Sequence, residues 1–265
     1  MWTLPYWAYL LVISLVFVLF ERIRPWRRQP LLRTAFDTDL LHLFFNGYLL
    51  ALIITPVANL ITPYIDVIVV PYLGRAHVGN HPFWLQLLIA FFVIDFIKWC
   101  VHVTLHHVPF LWSFHRLHHS ITEMDWIGNM RFHWVEIVVY NGTLYIPMLL
   151  LGFDWQVLLV MALVSTAIGH FNHSNLRVSL GPLKYLLNHP GMHIWHHDYV
   201  MHYRAGCNFG INLSLWDWIF RTAYYPKDID QPVRLGFQNI EKFPVSFLAQ
   251  QLVPVTTVFR QRDSA

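Results

Sequence analysis

Long apolar runs constrain the fold of this chain more than any other feature. Residues 2–20 and 83–101 carry few charges, and each run is long enough to cross a ~30 Å hydrocarbon core as an α-helix. Further apolar runs cover residues 40–54 and 137–169, and the second is broken at Gly152, Phe153 and Asp154. The runs predict an all-α integral membrane bundle of about four spanning helices or helical-hairpin arms.

The composition agrees with a membrane environment. Hydrophobic residues make up 56% of the chain and charged residues only 12%, whereas an ordinary soluble domain carries about a quarter charged residues. The length of 265 residues suits one domain, so we expect residues 1–265 to form a single membrane domain. Because Pro56, Pro63 and Pro71 follow the second run closely, we expect an irregular or interfacial stretch there, as far as Gly79.

The charges next to the first run predict the orientation in the membrane. Arg22, Arg24, Arg27 and Arg28 follow this run directly, and the positive-inside rule keeps such a stretch in the cytoplasm. Positive charges before the run and a small-residue cleavage site after it, which a signal peptide would have, are absent. Counting helices onward predicts that the histidine-rich segments lie on the cytoplasmic face. The part after Gly206 is then expected to pack there, within a histidine-rich helical cap.

Histidines at helical spacing are the main functional feature. Three groups stand at spacings of three or four residues, which share one face of a helix, and a looser fourth group lies between them. We therefore expect each box to present two or three imidazoles toward one point. Ten candidates exceed the four to six positions of one metal, so the natural count is two metals. The ten are His102 and His106; His115, His118 and His119; His170 and His173; and His193, His196 and His197.

The residues alone leave the identity of the metal open, because imidazole suits zinc, copper, iron and nickel. Metal-bound histidines usually donate their second N–H to a carboxylate or a carbonyl. Asp95, two turns before His102, and Glu136 are the carboxylates expected in that supporting role. Of the remaining histidines, His107 points away from His106 and is left out. Three others are expected in loops or at interfaces, namely His42, His77 and His81.

Two further classes of site find no support in the sequence. Cys100 and Cys207 form no CxxC pair, so they are expected to be small buried apolar residues. The chain has no basic nucleic-acid patch, and we expect no nucleic-acid partner.

Ordered motifs around the histidines resemble the fatty acid hydroxylase/sterol desaturase superfamily of integral-membrane di-iron oxidases. They are LWSFHRLHHS at residues 111–120, HFNHSN at 170–175, NHPGMHIWHH at 188–197, NFG at 208–210 and LWDWIFRT at 215–222. The resemblance covers about residues 85–225, which would be the catalytic region. Two positions depart from the common pattern, since Val103 stands where Arg is frequent and Arg221 where Gly is frequent.

The resemblance implies two iron ions bound by the ten histidines, which zinc can replace in a purified preparation. It also implies O2-dependent hydroxylation or desaturation of an unactivated C–H bond in a lipid such as a sterol, a fatty acyl chain or a terpenoid. Electrons would come from an external donor of cytochrome b5 or ferredoxin type. A zinc-dependent membrane hydrolase is one alternative, but zinc enzymes usually keep three protein ligands. A metal carrier is another, and it would place ionisable groups along a path through the spanning helices.

Overall fold

Helices make up the regular structure of this chain. A computed structural model describes residues 4–74 and 76–253. Short 3₁₀ turns connect the helices at Val78–Asn80, His118–Ser120, Trp126–Met130, Gly181–Tyr185 and Ile240–Lys242. The α-helices are α1 (Tyr6–Ile23), α2 (Phe36–Phe44), α3 (Leu50–Ile68), α4 (Val70–Leu73), α5 (Phe83–His107), α6 (Pro109–His115), α7 (Trp134–Leu151), α8 (Trp155–His173), α9 (Pro190–His196) and α10 (Leu215–Ile219).

Within residues 4–74 and 76–253, five stretches of helix are long and apolar enough to cross a membrane. They are α1, the 33 residues of Phe36–Ile68 that join α2 to α3 through a π-helical turn, and α5, α7 and α8. Large apolar side chains on these helices point outward, among them Leu60 at 67% and Val67 at 75% exposure, as lipid-facing positions would. The predicted all-α membrane bundle is thus confirmed, and the protein is an integral membrane protein.

The prediction of an irregular stretch after the second apolar run is wrong as far as Leu73, because α3 continues through Pro56 and Pro63 to Ile68 and α4 follows it; the irregular connection begins at Gly74. Proline removes a backbone donor, but a helix tolerates it in a membrane when neighbouring groups satisfy the freed carbonyls. Here the hydroxyl of Thr62 donates to the carbonyl of Ala58 at 2.8 Å, and the phenol of Tyr145 on α7 donates to the same carbonyl at 3.0 Å. The bond from Tyr145 ties α3 to α7 between the two prolines; the carbonyls that the prolines leave without a helical donor are those of Leu52 and Asn59, four residues before each proline.

The predicted hairpin is present, with its break where the sequence places it. Gly152 ends α7 in the left-handed conformation (φ 66°), and its N–H bonds to the carbonyls of Met148 and Leu149, as glycine commonly does at a helix C-terminus. The amide of Gln86 on α5 pairs with Asp154, so that the turn is tied to the neighbouring helix. The histidine ends of α5 and α8 thereby lie at the same end of the bundle.

A buried ion-pair network ties α2 to the loop that follows the second histidine box. The guanidinium of Arg33 bonds to Asp39 at 2.7 Å and to Asp125 at 2.8 and 2.5 Å. Arg131 pairs with Asp39 and donates to the carbonyl of Ser120 at 3.1 Å. All four charged side chains are buried, and burying charges is tolerable when they are paired and hydrogen-bonded in this way.

His42 departs from the expectation of a loop or interface residue. It is completely buried within α2, and its Nε2 lies 2.8 Å from the amide oxygen of Gln250 near the end of the described chain. A contact between residues so distant in sequence leaves no local signal. His77 and His81 are exposed in the connection between α4 and α5, as predicted.

Candidate metal centre

Nine of the ten predicted histidines converge in two groups at the common end of α5 and α8. Within each group, one nitrogen of every ring lies within 4.8 Å of the others. All four rings of the second group and four of the five in the first are buried. Group one contains His102, His106, His115, His119 and His196, and group two contains His118, His173, His193 and His197.

The expectation that each box faces a single point is wrong for the two HxxHH boxes. His115 and His119 belong to group one, but His118 belongs to group two. In the same way His196 joins group one while its neighbour His197 joins group two. Adjacent residues on a helical turn point about 100° apart, so the last two histidines of each box face two different centres. Both boxes therefore contribute to both groups.

Backbone carbonyls orient most of these rings. A carbonyl only accepts, so the Nδ1 atom facing it carries the proton and the Nε2 atom carries a free lone pair. The longest of these contacts, from His118 to the carbonyl of Arg131, measures 3.3 Å. The shorter ones join His102 to Phe209 (2.7 Å), His106 to Ala205 (2.9 Å), His173 to Gly169 (2.9 Å) and His196 to Cys207 (2.7 Å).

The Nε2 atoms of each group face one another at distances that suit a shared cation. In group one, Nε2 of His115 lies 3.1 Å from that of His102 and 3.0 Å from that of His106. In group two, Nε2 of His173 lies 3.1 Å from that of His118 and 3.2 Å from that of His193. Free lone pairs repel at such distances. Ligand nitrogens about 2.1 Å from one ion and at right angles to each other are about 3.0 Å apart, so the arrangement fits a metal.

Burial keeps these rings neutral, which is the form that binds metal. Desolvation lowers the pKa of His118, His193 and His197 well below the ordinary histidine value, and neighbouring imidazoles lower it further. The same two causes act in the same order on His115 and His119.

The two groups lie side by side and share stacked rings. The imidazoles of His119 and His197 stack with centroids 4.6 Å apart, and those of His193 and His196 with centroids 5.2 Å apart. Each stacked pair joins one member of group one to one member of group two. Two ions bound here would therefore be immediate neighbours, separated by imidazole rings.

Glu136 is the carboxylate that contacts this centre directly. Its Oε1 accepts from Nδ1 of His115 at 2.8 Å, and both side chains are buried. A carboxylate in that position fixes the ring and increases the basicity of its other nitrogen. Asp95 has a different set of partners: it accepts from the backbone N–H groups of Asn212 and Leu213 and from the indole of Trp216. It holds the loop after the third box against α5.

Asp217 is a supporting residue that sequence reasoning did not single out. Its carboxylate accepts from the backbone N–H of Phe209 at 2.9 Å and of Gly210 at 2.7 Å. It also accepts from the indole of Trp99 at 3.1 Å and the hydroxyl of Thr222 at 2.6 Å. Burial raises the pKa of Asp217, while these bonds oppose the shift. Since the Phe209 carbonyl orients His102, Asp217 positions a ring of group one. The available signal was its place in the closing motif.

His170 lies outside both groups. Its Nε2 is 3.4 Å from the hydroxyl of Ser14 and its Nδ1 is 3.0 Å from the amide of Asn129, so it connects α1 with α8 beside the centre. His107, which was left out on helical geometry, is exposed and bonds to the carbonyl of Val103 in its own helix.

A cavity of about 280 Å³ opens onto both groups from within the helical bundle. Side chains of α1, α5, α7 and α8 line it together with His102, His118 and His173. A separate pocket of about 390 Å³ reaches His106, His119 and His196 from the side of the segment after the third box. The centre is therefore approached from two directions.

A helical membrane bundle with two adjoining groups of neutral imidazoles defines the class: an integral membrane protein with two histidine groups, each of which could hold a metal ion. The amino-acid sequence identifies the family. Residues 87–222 match the model of the fatty acid hydroxylase family, and the protein belongs to that family. The match contains every histidine of both groups.

Curated relatives are similar over the same region. An ornithine lipid hydroxylase of Rhizobium tropici is 31% identical over 173 residues, which are 65% of this chain and 51% of that protein. A fatty acid hydroxylase of a Lecanicillium species is 26% identical, over 53% of this chain and 42% of the relative. Human alkylglycerol monooxygenase is 25% identical, over 60% and 38%. The chain spans about half the length, or less, of these relatives. No solved structure matches it significantly.

Proposed function

We propose that this protein is a membrane-bound di-iron oxygenase that hydroxylates an unactivated C–H bond of a lipid with O2 and externally supplied electrons. The observation that carries the proposal is the convergence of nine neutral imidazoles in two adjoining groups. Groups one and two would each hold one iron, and the irons would supply the activation of O2. The remaining residues orient the rings, exclude water and admit the lipid.

The donor set favours iron chemistry over the alternatives. A hydrolytic zinc ion usually takes three protein ligands and leaves one position open, whereas five and four histidines converge here. A carrier would need ionisable groups along a path across the bilayer, but both groups lie together at one end of the bundle. The relatives are by name hydroxylases and a monooxygenase, which supports oxygen insertion over desaturation.

A lipid substrate is supported by an apolar groove that meets the histidine cavity. The groove, of about 660 Å³, lies between α3 and α7 and is lined almost entirely by apolar side chains, including Ile53, Ile61 and Val138. Asn141 lines both the groove and the histidine cavity. An acyl chain lying in the groove would thus have one end at the metal centre.

The basic stretch after α1 supports a cytoplasmic position for the site. The guanidinium of Arg27 donates to the carbonyl of Met124 at 2.8 Å, and the Arg27 backbone N–H donates to the side chain of Asn175 at 2.8 Å. The stretch that the positive-inside rule keeps in the cytoplasm therefore packs on the histidine end. A donor of cytochrome b5 or ferredoxin type would reach the pocket beside His106 and His119 from that side.

Iron content and isotope incorporation test the proposal together. Protein reconstituted with ferrous iron should hold two irons per chain and transfer ¹⁸O from labelled O2 into a membrane lipid. His119→Ala should remove iron mainly from group one and His118→Ala mainly from group two, and both should abolish transfer. His107→Ala is the matched control and should behave as wild type. Turnover without O2, or full activity of His119→Ala, would overturn the proposal.

A further inference from the structure

Lys98 is a cation inside a membrane-spanning helix, close to the metal centre. It lies on α5 one turn before His102, so both side chains share a face of the helix, and both line the same cavity. Ionisable groups in spanning helices are costly and generally face a functional cavity or a partner. Lys98 therefore needs a specific explanation.

Lys98 has no fixed acceptor within the described part of the chain. No hydrogen bond or ion pair of its ammonium group is formed with residues 4–74 or 76–253. Asp95, three residues earlier on α5, interacts electrostatically with Lys98 but forms no ion pair with it. The oxygens of Asp95 accept hydrogen bonds from the N–H groups of Asn212 and Leu213 and from the indole of Trp216. The ammonium group of the half-buried Lys98 thus remains available to a molecule in the cavity.

Tyr140 offers a second donor to the same cavity. It stands on α7, is half-buried, and lines the cavity with Lys98. Its phenol likewise forms no hydrogen bond with a residue of the described ranges. One cationic donor and one neutral donor on two facing helices match a group with two oxygens and a negative charge, which is bound most strongly by charge-assisted hydrogen bonds.

The charge balance of the cavity points the same way. Among the described residues, its lining contains Lys98 and five of the histidines but no aspartate or glutamate. Metal ions held by neutral imidazoles would add positive charge that the two nearby carboxylates, Asp95 and Glu136, offset only in part. At low dielectric such a cavity attracts an anion. Its other polar lining residues, such as Ser165 and Asn172, suit a head group better than a hydrocarbon tail.

We propose that Lys98 and Tyr140 bind the anionic head group of the lipid substrate, a carboxylate or a phosphate, while the acyl chain lies in the apolar groove. The inference rests on the proposed function. Head-group binding by Lys98 and Tyr140 makes the protein selective for acidic lipids. It also presents the C–H bonds near the head group, rather than those at the far end of the acyl chain, to the metal centre.

Binding of charged and neutral lipids to the purified full chain tests this selectivity. In nanodiscs of neutral lipid, quenching of tryptophan fluorescence by palmitic acid, hexadecyl phosphate and methyl palmitate gives three affinities. Wild type should bind the two acids about tenfold more tightly than the ester, as a charge-assisted hydrogen bond implies. Lys98→Met should lose this preference, Lys98→Arg should keep it, and Tyr140→Phe should reduce it. Lys242→Met, at an exposed lysine, should match wild type.

Each variant is compared with itself on charged and neutral probes, so a smaller folded fraction leaves the ratio unchanged. An acid preference that persists in Lys98→Met would overturn the inference. Inorganic phosphate should not displace palmitic acid, and displacement would assign the site to a free anion instead. A Lys98-dependent preference without ¹⁸O incorporation would sink the proposed function and leave the head-group site standing. Equal hydroxylation of acid and ester by wild type and by Lys98→Met would overturn the head-group site and leave the proposed function standing.

Discussion

Replacing Asp217 by asparagine removes one hydrogen bond from a buried carboxylate and creates a conflict in its place. Oδ1 of Asp217 accepts from Phe209, Trp99 and Thr222, while Oδ2 accepts only from the backbone N–H of Gly210 at 2.7 Å. Asparagine is best placed with its amide oxygen where Oδ1 of Asp217 stands, because that oxygen accepts three of the four bonds. Its NH2 group then faces the N–H of Gly210, donor against donor.

The expected loss of stability follows from the single bond lost, between the Gly210 N–H and Oδ2 of Asp217. A hydrogen bond to a charged group contributes about 1.5–3 kcal/mol, so Asp217→Asn should lower the free energy of unfolding by about that amount. The three remaining bonds also weaken, because their acceptor loses its charge. Since the Phe209 carbonyl orients His102, we further expect metal affinity to fall about 10–100-fold, the usual effect of losing a residue that orients a ligand.

Two measurements on the same protein check this reasoning. Reversible unfolding in mixed micelles, followed by circular dichroism, gives the free energy of unfolding, and titration with a competing chelator gives the metal affinity. Asp230→Asn is the matched control, because Asp230 forms an exposed ion pair with Arg177 that contributes about 0–1 kcal/mol. If Asp217→Asn is no less stable than Asp230→Asn and binds metal equally well, the role assigned to Asp217 is wrong.

Three other substitutions probe separate parts of the structure. Glu136→Gln should weaken metal retention about 10–100-fold in the same chelator titration, because it removes the charge that supports His115; unchanged retention would contradict that role. Asp39→Asn should cost about 3–5 kcal/mol of unfolding free energy by breaking a buried ion pair, and a loss below 1 kcal/mol would show that the network is dispensable. Gly169→Ala should cost about 1–3 kcal/mol, since its Cβ would lie 2.4 Å from Asn129; a wild-type melting temperature would refute this.

Helical periodicity predicted which histidines matter but not how they divide. Pairs four residues apart stay together, as His102 with His106 and His193 with His197 show. The member three residues on goes to the other group. The reason is that a pattern of spacing describes directions around one helix, whereas the two centres are defined by helices from distant parts of the chain. The apolar runs likewise predicted the membrane helices, because hydrophobic length is a local property.

Features that depend on contacts between distant segments could not be predicted from the sequence. The bond that ties α3 to α7 between the two prolines comes from Tyr145, and the partner of the buried His42 is Gln250. The five carbonyls that orient the rings belong to residues of five different types, so no common side chain marks them in the sequence. The role of Asp217 is equally a matter of tertiary contact, because its partners lie on α5 and in the segments before and after α10.

The unequal sharing of the two HxxHH boxes has a consequence for biogenesis. Four members of group one lie within residues 102–119, and only His196 comes from later in the chain. Group two has His118 early, but its other three members arrive between residues 173 and 197. During synthesis, four of the five histidines of group one are made before α7 and α8, but the carbonyls of Ala205 and Phe209 that orient His106 and His102 come later. Group one is completed by His196 and group two by His197, so the end of α9 completes both groups, and ions that bind to all of these ligands would be held only once α9 has reached the other helices.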